Sequence, residues 1–207
     1  MRISLLVLAL LVPVLLVPLP AEASGEWQIK PFLGATFGGG TSYVDPEGAA
    51  GDPKVALGVS VVLLGEVFGV EGDFGHTPGF FESGRSTVLI AQSGATTITG
   101  NVVIALPRHL AQYTLRPYIV GGTGLMRANI EDSSVVKGLQ HGTDNIWAID
   151  VGGGATGFLT NRIGISWDLR WFRSIGGAAS GPLVFLTNSN GKQLSFWRAS
   201  MAVAIRP

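Results

Sequence analysis

From Trp27 onward the chain is built by twos. Apolar residues alternate with small or polar ones through stretches of ten or so residues, and Gly, Pro, Asp, Asn and Ser separate each stretch from the next. Strict alternation belongs to strands with one greasy face. Helix-forming runs are scarce, and after residue 23 nothing approaches the ~18 consecutive apolar residues of a membrane helix.

Eight such stretches can be delimited: residues 27–37, 55–64, 67–76, 96–106, 115–127, 145–156, 163–172 and 194–205. In the first, Trp27, Ile29, Pro31, Leu33, Ala35 and Phe37 oppose Gln28, Lys30, Phe32, Gly34 and Thr36. In the third, Phe68, Val70 and Phe74 oppose Glu71 and Asp73. In the sixth and seventh, Trp147, Ile149 and Val151 oppose Asp150, and Trp167, Leu169 and Trp171 oppose Asp168 and Arg170. The last sets Trp197, Met201 and Val203 against Arg198 and Ser200; only the glycine-rich fifth is ambiguous in face. The gaps between stretches alternate long and short, so one end of the sheet is expected to carry four large loops and the other three tight turns with both termini. Outer-membrane barrels have this anatomy.

Before the first stretch comes Met1-Arg2, an apolar run from Ile3 to Leu19, and Pro20-Ala21-Glu22-Ala23-Ser24. A positive start, a short greasy core and small residues at an A-x-A-like site define a secretory signal. Residues 1–23 are therefore expected to be a cleaved signal peptide and residues 24–207 one barrel domain. Sixteen strands of ~10 residues would use nearly all of the chain beyond Ala23, which excludes a large porin.

Face polarity separates two kinds of barrel. A lipocalin-like calyx keeps its apolar face inside for a greasy ligand, whereas a membrane barrel turns it outward and fills its lumen with polar groups. Here the poorer faces are mostly Gly, Ala, Ser and Thr with a few charges, which suits the cramped interior of eight strands. The apolar faces carry aromatic residues near strand ends, as interfacial belts do. The reading is all-β: an eight-stranded antiparallel up-and-down transmembrane β-barrel, with Trp27, Phe68, Phe74, Trp147, Trp167, Trp171 and Trp197 facing the membrane.

The order of these stretches resembles the small eight-stranded outer-membrane barrels of the OmpA/OmpX type. The resemblance runs from Trp27-Gln28-Ile29-Lys30-Pro31-Phe32-Leu33-Gly34 through Arg116-Pro117-Tyr118-Ile119-Val120-Gly121-Gly122-Thr123-Gly124. It continues through Asp150-Val151-Gly152-Gly153-Gly154-Ala155 and Trp167-Asp168-Leu169-Arg170-Trp171. It implies a protein of the outer membrane of a diderm bacterium, whose partners are outer-membrane lipid and the barrel assembly machinery. The family's last strand commonly ends in an aromatic residue; this one ends Val203-Ala204-Ile205-Arg206-Pro207.

Parity puts Lys30, Glu71, Asp73, Asp150, Asp168, Arg170 and Arg198 in the lumen. Confined charges need partners, so a salt-bridged plug is expected, with a narrow gated pore as the reading the resemblance leaves open. Taken singly, Lys30 or Arg198 also fits a solvated residue near a barrel mouth.

Composition narrows the chemistry. Lys+Arg and Asp+Glu are 14 each, which gives no reason to expect nucleic acid, and with no cysteine there is no disulfide, thiolate metal site or Cys nucleophile. No cofactor and no metal site is expected. The expected role is structural or surface-interacting, through the four loops, with a soluble exported barrel binding an apolar small molecule as the alternative. A lipid-modifying enzyme is the third reading: His76 and His141 fall towards the loop end with Ser83 or Ser134 as conceivable neighbours, but no motif joins them, so no catalytic residue is assigned. The acidic loop residues Asp45, Glu47, Asp52, Glu131, Asp132 and Asp144 lack calcium-loop spacing.

Overall fold

A computed structural model describes residues 25–41, 52–80, 90–111, 115–132, 142–175 and 194–207. The expected signal peptide lies outside the described residues. The alternating stretches form eight strands: β1 (Glu26–Thr41), β2 (Lys54–Leu64), β3 (Phe68–Pro78), β4 (Ile90–Ala105), β5 (Leu115–Asp132), β6 (Gly142–Phe158), β7 (Ile163–Ser174) and β8 (Leu194–Ile205). Each pairs antiparallel with its sequence neighbour, and β8 closes on β1.

Closure carries a stagger. Tracing register partners once around, Ile29 leads through Val61, Gly72, Gly100, Thr123, Ile149, Arg173 and Ser195 to Gly40, well up β1 from the start. A sheet that closes with such an offset must tilt its strands, by roughly 35–45°. The register of β1 against β8 shifts between Phe37 and Gly40, where Gly38 has φ +62°. Only glycine enters that region at little cost, and the bulge it permits bends the strand at the barrel rim.

Four strands outrun their sequence boundaries by three residues or more. β1 continues to Thr41, β4 begins at Ile90, β5 runs to Asp132 and β6 begins at Gly142. Backbone pairing persists there, with Asn129 opposite Thr143 and Gly94 opposite Asn129. The apolar alternation has already faded, so the periodic signal stops before the hydrogen bonds do. Consequently the connection of residues 133–141 is no longer than that of 106–114, and strict long–short alternation does not hold at that pair. The 106–114 connection contains a 3-10 turn, Arg108–Leu110, that follows Pro107.

Side chains divide by parity. Even positions point inward on β1, β2 and β5–β8, odd positions on β3 and β4, which also settles the ambiguous fifth strand. The outer surface is greasy: Phe68 is 68% exposed and Ile119 61%. Inside, the charged residues expected from the sequence gather mainly in the middle. Two apolar layers flank them, Phe80, Ala95, Met126, Ala148, Phe172, Leu194 and Phe196 towards the loops and Val62, Leu64, Val103, Ala105, Tyr118 and Val120 towards the turns. Phe172 stacks on Phe196 at 5.1 Å between centroids, and Phe80 meets Phe196 edge-on at 5.0 Å.

Candidate functional site

The middle layer is ionic and centres on Arg170. Its register partner is Gly152, and that of Asp168 is Gly154. A Cβ on Gly152 would collide with the Leu169 carbonyl and with Arg170 itself, so the inner glycines of β6 make the room that the β7 side chains occupy.

From β7 the Arg170 guanidinium reaches β3 on the far wall. Nη1 donates to Glu71 Oε1 at 2.5 Å and Nη2 to Oε2 at 3.1 Å, a bidentate pair. Nε donates to Asp168 Oδ2 at 2.6 Å, while Asp150 and Asp73 stand 3.7 and 3.9 Å from Nη1. Arg198 Nη2 donates to Asp73 Oδ2 at 2.9 Å, and its guanidinium lies 4.5 Å from the Phe32 ring centroid and 4.8 Å from that of Phe172. Neutral donors extend the network: Asn101 to Glu71, Ser200 to Asp168 Oδ1 and Tyr118 to Asp168 Oδ2. The space left beside Arg170 and Arg198 is about 10 Å³, room for roughly one water.

Of the seven lumen residues read from parity, six gather in this cluster. Lys30 stands apart: its ammonium donates to Thr156 Oγ1 at 3.2 Å, lies 4.8 Å from the Tyr118 ring centroid, and has no carboxylate within 4 Å among the described residues. Neither Lys30 nor Arg198 is a solvated mouth residue, since both are buried. The seven aromatic positions assigned to the outer face all point outward. Trp27 and Phe68 lie at the turn end, Trp167 midway, and Phe74, Trp147, Trp171 and Trp197 in the loop half. Trp171 and Trp197 are register partners.

Sequence reading missed the turn end. There Arg116 Nε donates to the Leu106 carbonyl at 2.8 Å and Nη2 to the carbonyls of Gly65 and Glu66 at 2.9 and 2.6 Å, tying two turns together. Glu26 takes Arg108 Nη2 at 2.5 Å and also pairs with Arg206, whose guanidinium covers the Phe158 ring. Arg116 was findable once the face of β5 was known; the Glu26 pairs join three strand or turn ends that no local pattern links. Of the catalytic candidates, His76 faces outward with Nδ1 2.9 Å from Thr96 Oγ1, and His141, Ser83 and Ser134 lie outside the described residues. Asp45 and Glu47 lie outside them as well.

No protein-family model and no curated protein matches the chain. Solved structures do. Neisserial surface protein A superposes with a TM-score of 0.61 at 10% identity, covering 87% of this chain and 97% of its own. The outer membrane protein OprG from Pseudomonas aeruginosa gives 0.52 at 13% identity, covering 89% and 97%. Ail, the attachment invasion locus protein of Yersinia pestis, in a complex with the heparin analogue sucrose octasulfate, gives 0.51 at 15% identity, covering 87% and 99%. The likeness is one of fold: a closed, eight-stranded, up-and-down barrel of the small outer-membrane kind.

Proposed function

We propose that the protein is an integral outer-membrane barrel of a diderm bacterium whose lumen is closed by a polar plug and whose loops serve envelope integrity or surface contact. The observation that carries this reading is the inversion of polarity across the sheet: Arg170 is 2% exposed inside while Ile119 is 61% exposed outside. Such an outer surface is at home in lipid, where closure also leaves no sheet edge without hydrogen bonds. Aromatic residues towards both ends of the outer face support the same placement. One fold neighbour carries the name of an outer membrane protein, in keeping with this location.

A plug is favoured over a pore by the ionic layer, with about 10 Å³ of space beside Arg170 and Arg198, and by the apolar layer stacked on it towards the loops. A soluble calyx would turn its polar face to water, whereas here the outward face is the greasy one. Lipid-modifying catalysis has no support from His76, which turns away from the lumen. Fold alone does not fix a role, but loops on a rigid scaffold are where binding usually resides. Outer-membrane lipid and the assembly machinery are the partners this reading entails.

The test is the protein's behaviour in a diderm host. It is expected in the outer-membrane fraction, with a gel mobility that changes only on boiling, and without discrete conductance steps in planar bilayers. Recovery from the soluble periplasm with no mobility change would overturn the membrane reading, and large steps would overturn the plug.

A further inference from the structure

At the turn end the lumen opens into a cavity of about 400 Å³, within the range of small-molecule sites. Its depth is graded. Lys30 and Tyr118 form the floor, Val62, Leu64, Val103 and Ala105 an apolar wall, and Arg108, Arg116 and Arg206 stand nearer the mouth.

The charge around it is one-sided. Every charged side chain lining the cavity among the described residues is a base. Arg108 and Arg206 share the one carboxylate of Glu26. Arg116 is bound by three neutral carbonyls, which satisfy donors without cancelling charge. Lys30 is the sharpest case: it is 5% exposed, its ammonium has three N–H groups, and among the described residues Thr156 accepts a hydrogen bond from it while no carboxylate does. A buried ammonium with no carboxylate in contact is costly, and here it faces a cavity with an apolar wall leading out to the solvent.

We propose that this cavity is a binding site for a small aliphatic carboxylate, its carboxylate seated on Lys30 Nζ and its hydrocarbon body along Val62, Leu64 and Val103. The arginines at the mouth draw an anion in, and the wall selects one with an apolar body over a small inorganic ion. The site goes beyond the proposed role. It lies in the lumen whichever solvent bathes the outer face, so its failure and that of the membrane reading are separate results.

Hexanoate is the probe, titrated into the folded protein while methyl resonances are followed by NMR, with hexanol as the neutral control. The site predicts saturable shifts at the methyls of Val62, Leu64 and Val103, with hexanol at least tenfold weaker. Lys30→Met should weaken hexanoate at least tenfold. Val103→Trp, which fills the cavity and keeps every charge, should abolish binding, and the boiled-against-unboiled mobility shows that each variant is folded. Absence of saturation, equal binding of hexanol, unchanged binding in folded Lys30→Met, or shifts confined to the outward methyls of Val70 and Val102 would each overturn it. The hexanol comparison on the unaltered protein decides even if a variant fails to fold.

Discussion

Arg170 and Glu71 are 99 residues apart in the chain, on strands that face each other across the barrel, and their side chains meet at 2.5 Å. The pair spans the lumen, so one guanidinium ties opposite walls while it holds three further carboxylates within 4 Å.

Removing that guanidinium leaves four carboxylates crowded, with Arg198 the one base still in contact with them among the described residues. Breaking a buried pair costs about 3–5 kcal/mol, and Arg170→Met should destabilise the barrel by that order. Adding Glu71→Gln should recover some of the loss, because one uncompensated charge goes with it. Urea unfolding in lipid vesicles measures both, and a change below about 1 kcal/mol for Arg170→Met would show that the network does not hold the fold.

Gly152 and Gly72 make a matched pair of probes. A Cβ at Gly152 strikes the Leu169 backbone and Arg170, whereas one at Gly72 on the outer face meets nothing within 4 Å. Gly152→Val should cost about 1–3 kcal/mol or more through overpacking. Gly72→Val should fold as well as the parent or better, judged by the same unfolding curves.

The apolar layer near the loops should behave as a hydrophobic core. Phe196 is buried between Phe80 and Phe172, and Phe196→Ala should cost about 3–5 kcal/mol. Trp197→Ala, one residue on and turned outward, should cost distinctly less. Equal losses would mean that the layer adds nothing the outer face does not.

The legible features of the sequence all derive from the strand period. A side chain's face is fixed by parity alone, so the lumen charges and outward aromatics could be read wherever alternation was strong. Parity says nothing about which inward residues meet. That Arg170 finds Glu71 while Lys30 finds Thr156 depends on the stagger of the closed sheet, a property of all eight pairings together. The two apolar layers were hidden for a related reason: Phe172 and Phe196 sit on faces that read as polar further along the same strands, and Met126 on the strand whose face was ambiguous. The extended tips of β4, β5 and β6 were missed because hydrogen bonding there outlasts the greasy alternation.

The outer face yields a substitution with opposite expectations in lipid and water. Val102 is 54% exposed on the outer face of β4, two residues in from Ile104, the register partner of the turn-end Phe68, and Leu159 is 75% exposed in the β6–β7 turn. In a membrane, Val102→Lys should cost about 2–4 kcal/mol and Leu159→Lys about 0–1. In water both would be tolerated about equally, and refolding yields into vesicles separate the cases.

The most direct test of the account uses the chain's own reporters. All five tryptophans, Trp27, Trp147, Trp167, Trp171 and Trp197, point outward from the barrel. Reconstituted into vesicles of brominated phospholipid, the folded protein should lose most of its tryptophan fluorescence, while aqueous acrylamide should have little effect. Strong quenching by acrylamide with none from the brominated lipid would contradict the account, because the greasy face would then be meeting water.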